Sequence, residues 1–132
     1  MHRVHYYMYD NGTYDVHRLW ILTKTLPVVE MLVEDLAFNL DETDWQNSSV
    51  YSRPRDVLEL PLEHPNEFAK IMRSDLSYPI LILDNNDIVD GLHRLCKCLH
   101  QQILSIRVRI VPPEIMQLAL VYEDESVRRI SF

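Results

Sequence analysis

The sequence predicts an α/β fold of mixed strands and helices, on three observations. Apolar residues alternate along three separated runs: Val4, Tyr6 and Met8; Val29, Met31 and Val33; Ile106, Val108 and Ile110. That is the period-two pattern of half-buried strands. Elsewhere they recur at i, i+3, i+4 and i+7, as in Val16, Leu19, Trp20 and Thr23 and again in Leu92, Leu95, Cys96 and Leu99, which is the stripe of an amphipathic helix. Finally, 132 residues with 47% hydrophobic and 25% charged side chains suit one ordinary globular domain, with residues 75–111 as its core motif and 112–132 as a C-terminal helix and tail.

Taken in order, the first strand runs to Tyr9, and Asn11-Gly12 signals a hairpin or loop after it. Asp15 can cap a short helix reaching Lys24, which Pro27 closes off. After the second strand, the acidic stretch through Trp45 and Asn47-Ser48-Ser49 reads as a solvated surface connection with Trp45 tucked inward. Ser52, Pro54 and Asp56 start one helix, and Pro65 with Glu67 starts another that carries Phe68, Ile71, Met72 and Leu76. The run from Ile80 to Leu83, a polar turn at residues 84–87, and Ile88-Val89 read as a hairpin with a buried first strand. A helix from Leu92, a strand over residues 106–110, and a last helix from Glu114 complete the chain. That last helix has Ile115, Leu118, Ala119 and Tyr122 on one face.

Thirteen basic against twenty acidic residues give a formal charge of −7, which argues against broad coating of nucleic acid. The charge is uneven. Residues 25–52 hold six acids and no base, whereas residues 93–113 hold Arg94, Lys97, Arg107 and Arg109 and no acid, so an anion site belongs in the second stretch. No apolar run approaches the roughly 20 residues of a membrane span. The N-terminus lacks a secretory apolar stretch, so an intracellular protein, cytoplasmic or nuclear, is expected. Cys96 and Cys98 are two apart on one helix, where they cannot reach disulfide geometry, and suit a reducing compartment.

With only two glycines in the chain, Gly91 between a strand and a helix is informative. The amides of the helical turn after it have no intrahelical partner, and the helix dipole adds positive charge there, so the turn can cradle an anion. His93 and Arg94 stand in that turn, and Lys97 is one turn beyond His93. An arginine fork can grip phosphate oxygens, and an imidazole can donate a bond or move a proton. Asp90 could orient Arg94, hold Mg²⁺ beside a phosphate, or act as a base. The candidate catalytic residues are therefore Asp90, His93 and Arg94, and the candidate phosphate-binding residues Gly91, Leu92, His93, Arg94 and Lys97. No metal-binding residue set is expected, because Cys96 fits the apolar stripe and His93, Cys96 and His100 fall short of four zinc ligands.

The run Pro79-Ile-Leu-Ile-Leu, then Ile88-Val-Asp-Gly-Leu-His-Arg-Leu, then Ile106-Arg-Val-Arg-Ile-Val resembles the core of the ParB N-terminal domain and sulfiredoxin superfamily. The similarity spans residues 75–111. The upstream spacing of Leu19-Trp20, Trp45, residues 52–57 and residues 75–80 extends it to the small stand-alone ParB-like proteins. The resemblance implies a small α/β fold, a mixed sheet with packed helices, whose Asp-Gly-x-His-Arg turn binds the phosphates of a nucleoside triphosphate, ATP or CTP, with Mg²⁺ as a companion ion. In sulfiredoxins the variable position is a cysteine; here it is Leu92, so sulfinic-acid reduction lacks its nucleophile. In chromosome-partitioning relatives the turn binds CTP and a helix-turn-helix domain follows; the residues after Pro113 are too few for one. Other relatives include a free-serine kinase and proteins labelled as nucleases, so NTP hydrolysis or phosphoryl transfer is conceivable.

Readings from two other classes use the same residues. One is an inactive scaffold that forms a homodimer or docks on a protein partner through the acidic stretch or the tail around Arg128 and Arg129. The other is a nucleic-acid binder or nuclease-like protein using Arg94, Arg107 and Arg109. Tyr6, Tyr7 and Tyr9 suit strand packing better than a stacking platform, and His2, His5, His17 and His64 share no spacing.

Overall fold

The computed structural model describes residues 5–9, 12–42, 45–47 and 50–123. The expectations for His2, Val4, Asn11, Arg128 and Arg129 lie outside them.

Strands β1 (Tyr6–Tyr9) and β2 (Gly12–Asp15) form the expected hairpin. Asp15 then caps helix α1 (Val16–Leu22) by accepting from the Arg18 amide at 3.2 Å. Strand β3 (Val29–Leu32) gives way at Val33 to a 3-10 turn, Val33–Asp35. Next come α2 (Asn39–Glu42), a hairpin of β4 (Trp45–Asn47) and β5 (Val50–Ser52), α3 (Pro54–Glu59) and α4 (Pro65–Arg73). Strands β6 (Ile80–Ile82) and β7 (Ile88–Asp90) pair antiparallel, α5 spans Leu92–His100, and β8 spans Ser105–Ile110.

A four-stranded mixed sheet in the order β3, β8, β6, β7 centres the fold, with β6 and β8 parallel. Ile80, Ile82, Ile106 and Val108 meet Leu36, Leu40, Val57, Ile71, Leu95 and Cys96 on one face. Leu81, Leu83, Val89 and Val111 meet Leu19, Met116 and Ala119 on the other. Apolar cover on both faces is why β6 is an unbroken aliphatic run. The α/β fold class predicted from periodicity is the one observed.

Two readings need correction. The acidic stretch is no mere solvated connection: Leu36, Asn39 and Leu40 are buried. Asn39 donates to the carbonyls of Leu36 and Asn86 and accepts from the Ile88 amide, tying the segment to the β6–β7 hairpin. Its charges occupy the outer side of short elements whose apolar residues turn inward. The last helix is also shorter than expected. It stops as α6 (Pro113–Leu118), leaving Leu118 exposed, and strand β9 (Leu120–Glu123) follows with Tyr122 in it. A short apolar run suits helix or strand equally, and pairing with β2 decides for strand.

Among the described residues no helix is long and apolar enough to cross a membrane.

Candidate functional site

The β7-to-α5 turn is set by one glycine. Gly91 adopts φ 114° and caps α5, a conformation that other residues reach only with strain. A side chain there would also collide with β6: a Cβ would lie 2.3 Å from Ile80 Cγ2. The glycine therefore fixes both the turn and its close approach to the sheet. The amides of Arg94 and Leu95 bond the Gly91 carbonyl at 3.0 and 3.1 Å, so those of Leu92 and His93 head the helix without an intrahelical acceptor.

A cleft of about 560 Å³ opens in front of this turn. Residues 90–94 line it together with His5, Tyr6, Tyr7, Met8, Trp45, Lys70 and Asp75. Asp90, Gly91, Leu92, His93 and Arg94 thus all line one cavity. Lys97 does not line it. Its ammonium donates to the Ser74 carbonyl at 2.9 Å, one turn behind.

Arg94 is held without a carboxylate. Its Nη1 donates to the Pro79 carbonyl at 3.0 Å, and its guanidinium lies 5.6 Å from the Trp20 ring centroid and 5.9 Å from that of Tyr78. A neutral carbonyl and two aromatic faces fix the group without an ion pair among the described residues, although its charge joins the hydrogen bonds of Ser77 in holding the Asp75 carboxyl of the same cleft below its ordinary value. Arg107 follows the same rule by donating to the Ser77 carbonyl. Arg109 does not extend this surface; its Nε is buried and lacks a partner among the described residues.

Of the roles open to Asp90, the contacts bear only on the orientation of Arg94. It forms no ion pair with Arg94 among the described residues. Instead its Oδ2 accepts from the Trp20 indole N–H at 2.7 Å, and its Oδ1 lies 3.8 Å from His5 Nδ1. Asp90 and Arg94 thus share Trp20 as a neighbour, one bonded to its indole N–H and the other over its ring.

Comparison with known proteins adds no relative. No family model, no curated protein and no solved structure matches the chain.

His93 has a partner that sequence reasoning missed. Its Nε2 lies 3.2 Å from Glu67 Oε2, and its ring stacks on Trp45 at 4.5 Å between centroids and 7° between planes. Glu67 is only 5% exposed, and its other oxygen accepts from Lys70 at 3.1 Å. Burial alone pushes the Glu67 carboxyl up, but the hydrogen bonds and charges of His93 and Lys70 outweigh it and hold the group below its ordinary value. In the sequence Glu67 looks like any acid in a first helical turn, and no spacing links it to His93 26 residues later.

Cys96 and Cys98 are both free and buried in α5. Burial pushes the Cys96 thiol up to about 12 and also raises Cys98, so neither supplies a thiolate near neutral pH.

Proposed function

We propose that this chain binds the phosphates of a nucleoside triphosphate at residues 90–94, in the manner of the ParB N-terminal and sulfiredoxin superfamily. One observation carries the reading: Arg94, lining the cleft beside the leading amides of α5, is anchored by a carbonyl and two rings and makes no ion pair among the described residues. Helix-terminal amides and a rigid guanidinium fork together make a phosphate cradle.

Further support comes from the order of elements, a hairpin, an Asp-Gly turn, a helix and a strand, which agrees with the resemblance seen in the sequence. The tyrosines that line the cleft offer aromatic surface to a base or ribose. Sulfiredoxin chemistry is not part of the proposal, since Leu92 has no thiol and both cysteines are buried. Hydrolysis or transfer of a phosphoryl group is the activity that such a site suits.

Calorimetric titration with ATP, CTP, GTP and ADP, with and without Mg²⁺, tests the reading. Wild type should bind at least one triphosphate, and an Arg94→Ala variant of unchanged circular dichroism should bind it about 10–100-fold more weakly. Absence of binding with every nucleotide would refute it.

A further inference from the structure

The pairing of His93 with Glu67 says more than that an anion is bound. Glu67 lies nine-tenths buried with a partner on each oxygen, and an ionised carboxylate can only accept hydrogen bonds. The proton in the 3.2 Å contact must then sit on His93 Nε2. A neutral imidazole with hydrogen on Nε2 carries its lone pair on Nδ1. Nδ1 has no hydrogen-bond partner among the described residues, and the ring lines the cleft. Trp45 fixes the plane of that ring and Glu67 fixes its rotation, so its basic nitrogen is both defined and unspent. Lys70 stops Glu67 from turning away, because it holds the second oxygen.

Resting on the phosphate reading of residues 90–94, we infer that His93 accepts the proton of a water that attacks the terminal phosphoryl group of a bound nucleoside triphosphate, with Glu67 as its positioning residue. The water oxygen bonds to the terminal phosphorus as the bridging P–O bond breaks, and that bond's electron pair leaves on the nucleoside diphosphate. The water proton passes to Nδ1. The resulting imidazolium is stabilised by the Glu67 carboxylate and returns its proton to solvent, so the products are the nucleoside diphosphate, inorganic phosphate and a proton. Arg94 supplies positive charge to the transferring group.

The charged groups around His93 come from several elements. Glu67 and Lys70 lie on α4, Asp75 just beyond it, Asp90 on β7, His5 in the cleft lining, and Arg94 and Lys97 on α5 itself. Glu67 is the one carboxylate in hydrogen-bond contact with the ring among the described residues, so its removal should act chiefly on the ring's tautomer.

Two readouts on the full chain test the inference. Nitrogen-15 NMR of the histidine side chains in the ligand-free protein should show His93 with hydrogen on Nε2, and Glu67→Ala, which removes the acceptor, should leave a mixture of the two tautomers. With ATP as substrate, that variant should show KM little changed and a lower kcat. His93→Ala should cost about 10²–10⁴ in kcat. Hydrogen on Nδ1, or an unchanged tautomer in a folded Glu67→Ala variant, overturns the pairing while leaving phosphate binding intact. Failure of wild type to bind any triphosphate overturns the phosphate reading and the hydrolytic role with it, even if the tautomer is as expected. Binding without hydrolysis overturns the role of His93 alone.

Discussion

Two groups of arginines on this protein hold their charge in opposite ways. Arg53 and Arg55 are spent on carboxylates: Arg55 meets both oxygens of Asp41 at 2.7 and 3.0 Å, and Arg53 reaches Asp56 at 3.0 Å. The hydrogen bond from Arg55 holds the Asp41 carboxyl below its ordinary range, and Arg53 does the same for Asp56. Arg94 and Arg107, by contrast, lean on the carbonyls of Pro79 and Ser77. Carbonyl anchoring fixes a guanidinium without an ion pair, which is what the proposed phosphate site requires in a chain of net charge −7. A count of basic residues would rate both pairs alike; their partners separate them.

The largest effect should come from Gly91→Ala, which imposes a left-handed alanine and drives its Cβ into Ile80. We expect destabilisation of about 2–5 kcal/mol, read by urea unfolding. An unchanged unfolding midpoint would mean that the turn relaxes and is not rigidly set. Next in size is the contrast between the arginines. Arg94→Ala should weaken triphosphate binding by about 10–100-fold, as loss of a charge-assisted contact does. Arg55→Ala should leave affinity unchanged, and equal losses in calorimetry would erase the distinction.

A smaller effect concerns pH. Glu67 titrates below its ordinary 4.5 in the folded chain, so the stability it contributes is present above that value and is lost as pH falls through the folded one. Denaturant melts between pH 7 and 3 should show a decline below about 4.5 that is shallower in Glu67→Gln. A decline of identical depth in both proteins would assign it to other carboxylates. The least effect should follow Asp56→Asn, which disturbs an exposed pair at the start of α3 and should leave the cleft's affinity for triphosphate untouched in the same calorimetric assay.

How far these contrasts were legible in the sequence depends on the range of the interaction. Gly91 stood out because glycine is scarce here and lies between two periodic segments, and its φ of 114° and contact with Ile80 are the physical reason. The β6–β7 hairpin and α5 were equally readable, since each is set by neighbours in the chain. The Trp20 contact with Asp90 spans 70 residues and that of Glu67 with His93 spans 26, and no local pattern encodes either. Asn39 illustrates the same limit: a polar residue in an acidic stretch gives no sign that it pins a hairpin 47 and 49 residues away. Where the last helix ends was hidden for a different reason, because β2 offers the edge that turns residues 120–123 into a strand.

Amide and arginine side-chain NMR mapping of the wild-type chain during titration with inorganic triphosphate tests the central claim most directly. The account predicts saturable shifts at the amides of Leu92, His93 and Arg94 and at Arg94 Nε, with Arg53 and Arg55 unmoved. Shifts confined to Arg53 and Arg55, or no saturable shift at residues 91–94, would contradict it.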